Sequence, residues 1–461
     1  MSSVSEILAN YYHNLDFDAL SEEVINKAKQ CVLDYLGCAI GAVNMESSNI
    51  VKKCFLPGND CQDGCNVILT GQAPVEKAAF INAVFSHSLE MDDLNYGAGG
   101  HPAVSIMPAA MAMAEKKRTS GRELLKAIII AYDLMYRIGQ AGNPESMFER
   151  GLHPTSINGT FAAAIAAANL MGLEEKKVAN ALGIAGSFTS GNLECYTDGS
   201  LTKRINPGVA AQGGIMSAIL ASEGFTGPRF IFEGRSGFLV SYTDKGDSKK
   251  LTENLDYKHF GIMATSFKPY ACCRYNHSPI YATLKLVRKY NLDYRDVEKV
   301  NIKVVGMAVR GVCEPREVKY DPKNLVDAQF SLPYSIAVAL INKRVFIEEY
   351  TEEMLHDSRV RDLMTKIEME HDPTLDDPEQ KSFPAISEIY LKDGRKLVQK
   401  VDYCIGDPED PMDQIQLEEK FISLSKLTMS DRQKIQGIID VVSNLENVEV
   451  SNLITVLQTD I

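Results

Sequence analysis

The chain has 461 residues, with 48 Lys and Arg against 61 Asp and Glu and a formal net charge of −13. That balance excludes the basic face that nucleic-acid binding needs and the polybasic surface that holds a protein on an anionic membrane. With 45% hydrophobic and 24% charged residues it has an ordinary globular composition, and its length exceeds what one core usually supports, so two domains or one elaborate one are expected.

The first 265 residues read as helical. Ser21 is the predicted N-cap of a helix that opens Glu22-Glu-Val-Ile-Asn-Lys-Ala-Lys. Segments 104–114, 122–140, 156–171 and 213–223 are rich in Ala, Ile, Leu and Met with few charges. Helices this apolar are buried on most of their surface. The small residues of 162–168 and 181–186 allow close helix–helix approach. Near residue 266 the pattern changes. Ser278-Pro279 predicts an N-cap and first helical position, with Ile280, Leu284 and Val287 on one stripe. Val300, Ile302 and Val304 alternate with Lys299, Asn301 and Lys303, the period of a half-buried strand. Segments 328–340 and 362–370 read as helices. Segments 385–391 and 396–403 flank Asp393-Gly394, a hairpin signal. Gly406-Asp-Pro-Glu-Asp-Pro411 is a turn-rich linker, and 414–458 is helical again. The expected fold is mostly α with a smaller α+β domain. Residues 1–265 and 405–461 form one large helical domain, and 266–404 form the α+β unit.

No run of about 18 apolar residues is present, so no membrane span is expected. The opening Met1-Ser-Ser-Val-Ser-Glu lacks a basic segment followed by an apolar one, so the cytoplasm is the expected compartment. Ten cysteines at these spacings fit thiols in a reducing compartment. Cys61-Gln-Asp-Gly-Cys65, with Cys54 nearby, is a loose cluster without a second pair at zinc-site spacing, and no metal is expected. Gly97-Ala-Gly99-Gly100 follows no strand and reads as a flexible loop. Phosphate-loop, serine-elbow and zinc-protease motifs are all missing. What remains is chemistry done by side chains alone.

Several polar residues fit no bland pattern. His101-Pro102 and His153-Pro154 each precede a buried helix, and His277 stands at the start of another. A lone histidine at such a place commonly caps or packs. Three at helix N-termini, with their free N–H groups and positive dipole ends, point to an anion site if they converge. His87 opens His87-Ser-Leu-Glu-Met-Asp-Asp93, whose Glu90, Asp92 and Asp93 either cap helices or orient a catalytic histidine. Lys203 and Arg204 precede Pro207-Gly208 and a small-residue helix. Lys268-Pro-Tyr-Ala-Cys-Cys-Arg-Tyr-Asn-His277 gathers cations, thiols and phenols where the domain type changes, and domain junctions often hold ligand pockets. Arg204 and Arg274 suit carboxylates gripped bidentately, and lysines supply point charges. A net-acidic protein thus carries the parts of a small basic pocket.

In these segments the chain resembles the MmgE/PrpD family. The resemblance spans essentially the whole chain. It is carried by the 87–93 motif, His101-Pro102, Gly151-Leu-His-Pro154, Lys203-Arg-Ile-Asn-Pro-Gly208, Gly224-Phe-Thr-Gly-Pro228, the 268–277 segment and Asp327-Ala-Gln-Phe-Ser-Leu-Pro333. The family includes 2-methylcitrate dehydratases, cis-aconitate decarboxylase and iminodisuccinate epimerase. The resemblance implies a helical domain formed by both chain ends, an α+β lid, a homodimer, no metal or organic cofactor, and a site between the domains for a small polycarboxylate.

From the decarboxylase branch it implies site positions Glu90, Leu94, His101, His153, Lys203, Lys268 and Cys273. Three of these depart from that branch, which has Asp at Glu90, a hydroxyl residue at Leu94 and His at Cys273. The Cys272-Cys-Arg-Tyr275 form resembles the dehydratase-like branch instead, so dehydration of a citrate-like hydroxy acid ranks first. Epimerisation, decarboxylation and non-catalytic polycarboxylate binding are the alternatives. The expected chemistry is proton removal next to a carboxylate. Lys203, Arg204 and Lys268 would hold the substrate, with one of His101 and His153 as base and the other as acid. Asp93 or Glu90 would tune a histidine, and Cys273 either contacts substrate or packs. Arg274, Tyr275 and His277 complete the expected binding set.

Overall fold

Two hydrophobic clusters organise the chain. The larger draws on both chain ends, from Val4 through Phe267 and again from Met412 to Leu457. The smaller is built mainly from Tyr270 to Cys404. The computed structural model describes residues 2–56, 61, 63–377 and 382–458. Helices dominate, and the strands form small sheets, so the chain is mostly α with a smaller α+β part.

The helical part starts from well-specified ends. Ser3 accepts the Glu6 N–H and the Glu6 carboxylate accepts the Ser3 N–H, a reciprocal cap for Val4–His13. Ser21 caps Glu22–Gly41 by accepting the Val24 N–H. At the centre lie Ala103–Lys117, Gly121–Gly142, Pro154–Leu170 and Thr202–Ser222. In Pro154–Leu170 every position but Asn169 is buried. A helix apolar all round has no solvent face, so it has to be surrounded by other helices. Small residues make that possible: a Cβ on Gly214 would sit 2.4 Å from the Ala163 Cβ.

The C-terminal helices Gln414–Ser425, Arg432–Ser443 and Val450–Leu457 return to this body. Gln414–Ser425 packs on Glu22–Gly41, where a Cβ on Gly41 would lie 2.8 Å from the Leu424 carbonyl oxygen. Buried Lys420 joins the two, with Nζ 2.5 Å from Asp34 Oδ1 and 2.7 Å from the Met91 carbonyl. Among the described residues no helix is long and apolar enough to cross a membrane.

The smaller part holds a four-stranded sheet in the order Ile367–His371, Val297–Val304, Ala385–Leu391, Lys396–Val401. The first pair is parallel and the other two are antiparallel. Ala385–Leu391 is buried at alternate positions, and helices His277–Tyr290 and Leu332–Asn342 pack against the sheet. The expected hairpin around Asp393-Gly394 forms as read.

Four local readings are corrected. Segment 362–370 is not one helix: Ser358–Met364 is helical, and Ile367–His371 is a strand. Ile367 and Met369 alternate there with Glu368 and Glu370, and parallel pairing with Val297–Val304 outweighs the helix propensity of glutamate. The helix expected over 328–340 breaks at Phe330-Ser331, where the Ser331 hydroxyl caps a new helix by accepting the Tyr334 N–H. Ser278-Pro279 lies inside the first turn of a helix that starts at His277, after a short turn over Arg274–Asn276. The last apolar helix begins at Thr202, not 213. Lys203 and Arg204 are therefore in its first turn, and Pro207 lies inside the helix, where it leaves the Lys203 carbonyl without its N–H partner at i+4.

The glycine-rich segment before His101 is also no free loop. Asn95 and Gly100 exchange backbone hydrogen bonds of 2.9 and 3.3 Å, and Asn158 Nδ2 donates to the Ala98 carbonyl at 3.1 Å. Gly139 of Gly121–Gly142 presses on this turn, since a Cβ there would lie 2.2 Å from Gly97 O and 2.6 Å from Ala98 Cα. Gly139→Ala gains up to about 1 kcal/mol of helix propensity but loses more to a backbone clash, for a net destabilisation of about 1–3 kcal/mol. Urea unfolding checks this, and an unchanged or raised midpoint would contradict the packing described.

Candidate active site

The helix Val75–His87 ends at the turn that builds the site. Glu90 sits there at φ +56°, a left-handed conformation that costs a non-glycine residue roughly 1–2 kcal/mol. Its buried carboxylate holds three buried cations. Lys203 and Arg204 both pair with Oε1, and Lys268 Nζ is 3.2 Å from Oε2. Burial pushes the Glu90 carboxyl up, but Lys203, Lys268 and Arg204 outweigh it and hold it well below its usual range. The two lysines diverge. Burial lowers Lys203 despite Glu90, whereas Asp92 and Glu90 overcome burial and raise Lys268. The strand pair Leu94–Asn95 with Thr265–Ser266 ties the Glu90 turn to the segment that carries Lys268.

Two imidazoles face the same cavity in complementary states. His101 Nδ1 lies 2.5 Å from the Asp93 carbonyl and 3.0 Å from Asp92 Oδ2. Both neighbours are acceptors, so in the neutral ring Nδ1 carries the proton and Nε2 the free lone pair. His153 Nδ1 lies 3.1 Å from Asn206 Nδ2, a donor that also reaches the Asn192 carbonyl at 3.4 Å. Nδ1 of His153 therefore accepts, and its Nε2 carries the proton. Burial, then His87 and Lys203, keeps His153 neutral by pushing its pKa well below the usual value. Behind them His87 shares Asp92 Oδ2 at 3.0 Å, and burial lowers it to about 3. Asp92 is itself held ionised: burial raises it, but Lys268, His87 and His101 pull it well down.

The cavity has a volume of about 250 Å³ and lies where the two clusters meet. Glu90, His101, His153, Lys203, Lys268 and Cys273 line it, and so do Leu94, Arg274 and Tyr275. Burial raises the Cys273 thiol, so it is protonated at neutral pH. Three expected residues are not on this wall. Arg204 is turned to Glu90, to the His87 carbonyl at 2.8 Å and to Gln329 Oε1 at 3.1 Å. His277 is buried behind the site, its Nδ1 facing Arg274 Nη1 and its Nε2 the Cys272 carbonyl, each at 3.1 Å. Asp93 accepts the Ala103 N–H at 3.1 Å and the Tyr132 hydroxyl at 2.8 Å, away from the cavity. Arg274, although on the wall, is held by Asp407 and by the Tyr96 hydroxyl at 2.9 Å. Both arginines expected on substrate are thus already paired, as a buried guanidinium has to be.

Of the three carboxylates in the 87–93 motif, Asp92 is the one beside histidines, 3.0 Å from both His87 and His101, whereas Asn206 and Gln329 are not among the sequence candidates. Asn206 and Gln329 belong to the quoted 203–208 and 327–333 motifs, which was the available signal. Among the described residues no group of three or more His, Cys, Asp or Glu side chains is arranged to hold a metal ion.

Asp93 offers a stability test. Burial, then Asp34, raises its carboxyl from 3.8 to about 8. A raised folded-state pKa means that its contribution to stability is complete below pH 3.8 and is lost as the pH rises to about 8. Asp93→Asn should remove that decline, so wild type loses stability relative to the variant across this window. Parallel urea titrations check it, and parallel curves would show Asp93 to be ionised.

The helical and α+β parts thus meet at a cavity in which Lys203 and Lys268 stand beside His101 and His153. Residues 6–250 match the MmgE/PrpD N-terminal domain and residues 270–445 the MmgE/PrpD C-terminal domain, and the chain belongs to the MmgE/PrpD family. It is 28% identical to a cis-aconitate decarboxylase of Aspergillus terreus, over 96% of this chain and 94% of that protein. It is 26% identical to the cis-aconitate decarboxylase of Homo sapiens, over 99% and 95%. With the 2-methylcitrate dehydratase of Salmonella typhi it shares 24% identity, over 93% and 91%. These relatives are named as decarboxylases and a dehydratase, and the chain belongs with them to one family of enzymes.

Proposed function

We propose that the chain is a hydro-lyase for a small di- or tricarboxylate, with water lost from a citrate-like hydroxy acid. The observation that carries this reading is the pair of cavity imidazoles beside Lys203 and Lys268, both engaged through Nδ1, with a bare Nε2 on His101 and an Nε2–H on His153. A substrate carboxylate at the lysines puts the adjacent C–H within reach of a base. His101 Nε2 takes that proton, and the lysines stabilise the carbanion as charge spreads into the carboxylate. His153 Nε2–H donates a hydrogen bond to the departing hydroxyl. The proton gained by His101 leaves with that oxygen as water, so both imidazoles end neutral and a carbon–carbon double bond remains.

Decarboxylation is the second reading, favoured by the higher identity to relatives named for it. There the C–CO₂ bond breaks, CO₂ leaves, its electron pair stays on the carbon, and that carbon takes a proton from an imidazole. The test is incubation of purified protein with citrate, 2-methylcitrate, cis-aconitate and iminodisuccinate. New ultraviolet absorbance with a mass loss of water supports the first reading. Released CO₂ supports the second, and changed chirality at constant mass would replace both with epimerisation.

A further inference from the structure

The cations on the wall, Lys203, Lys268 and Arg274, already have carboxylate partners. Glu90 pairs with both lysines, Asp92 Oδ1 behind the wall stands 3.9 Å from Lys268 Nζ, Asp407 holds Arg274, and exposed Glu145 is a second carboxylate on the wall. With His87 and His153 held neutral, little positive charge is left over for three carboxylates, although Lys203 and Lys268 still offer donors to one. Much of the rest of the wall is apolar or aromatic, with Asn143, Thr155 and Ser382 among it. Tyr96 and Tyr275 both pack on Phe383, with ring centroids 4.9 and 4.5 Å away, and Pro144, Phe148 and Met307 extend that surface. The Tyr96 hydroxyl oxygen accepts from Arg274 Nε, and Leu94 adds to the apolar lining.

We infer that this site takes a carboxylate carrying an alkyl or aryl arm: one carboxylate at Lys203 and Lys268, and the arm against Tyr96, Phe148, Tyr275, Met307 and Phe383. The inference rests on the lyase reading for the reacting end and narrows its substrate away from compact tricarboxylates. Burying apolar surface here gives affinity that a tricarboxylate lacks, and a third carboxylate would have to be desolvated against wall cations that already have carboxylate partners.

The experiment is calorimetric titration of the full chain with succinate, citrate and 2-benzylsuccinate at one ionic strength. 2-Benzylsuccinate is expected to bind at least about ten-fold more tightly than either of the others. Met307→Ser and Phe148→Ser, both at half-buried positions, should each reduce that preference to below about three-fold. Circular dichroism confirms that each variant is folded, and either variant alone suffices. Citrate binding as tightly as 2-benzylsuccinate, no detectable binding of 2-benzylsuccinate, or a preference that survives both variants would overturn the inference. The lyase reading fails separately. It falls if the benzyl preference holds but no carbon-bound proton of any bound acid exchanges with D₂O. It stands if citrate-like acids react while the preference is missing.

Discussion

His101→Ala should lower kcat by a factor of about 10² to 10⁴ while the protein stays folded, the range expected for loss of a positioned general base. The reason is geometric. The Asp93 carbonyl and the Asp92 carboxylate both accept from Nδ1, so the imidazole has one tautomer and one free nitrogen. Its side chain is 13% exposed, so truncation opens the cavity rather than a hole in the core. Asp92→Asn should reproduce part of the loss, because an amide fixes the tautomer less firmly and removes a charge from Lys268. Steady-state rates with circular dichroism check both. A His101→Ala enzyme within a few-fold of wild type would remove histidine 101 from the proton transfer.

Glu90→Ala should be the most destabilising single substitution at the site, by about 3–5 kcal/mol, because it strands Lys203, Arg204 and Lys268 in the interior without their shared carboxylate. Glu90→Gln keeps the shape and isolates the charge. The pH dependence has a definite sign. The Glu90 pKa is depressed in the folded protein, so its contribution is present above the ordinary value of 4.5 and is lost as the pH falls through the folded value. The gap between wild type and Glu90→Gln should therefore be widest near neutrality and shrink on acidification. Urea midpoints at neutral and acid pH measure it. A variant as stable as wild type at neutral pH would mean that the cations find other partners.

Long periodic elements were legible in the sequence. The apolar helices from Ala103 to Leu170 were read close to their bounds, because burial on all sides leaves a compositional trace. The same holds for the Ala385–Leu391 and Lys396–Val401 hairpin, marked by its turn residues. What failed was short or set by distant contacts. Ile367–His371 is a strand because Val297–Val304 lies beside it, and nothing local says so. The start of Thr202–Ser222 was hidden by Pro207.

The site divides in the same way. Histidines and lysines at helix starts marked the cavity. Neighbouring carboxylates did not sort themselves: Asp92 faces His101, while Asp93 turns to Tyr132, a choice made by the turn after Glu90. Arg274 read as a substrate ligand because its partner Asp407 lies in a linker that carried no such signal. The apolar wall has no sequence signature, since Tyr96, Phe148, Met307 and Phe383 come from four separate segments. The net charge of −13 also proves a poor guide to the cavity, where cations and carboxylates nearly balance.

The central claim is that His101 removes a carbon-bound proton next to a carboxylate held by Lys203 and Lys268. The most direct measurement is solvent exchange, with wild type and His101→Ala incubated in D₂O with a turned-over acid and the substrate recovered for mass spectrometry and NMR. Deuterium is expected at the carbon adjacent to one carboxylate in the wild-type reaction and at background level with His101→Ala. Equal incorporation by both proteins, or none by a wild-type enzyme that is turning over, would contradict it.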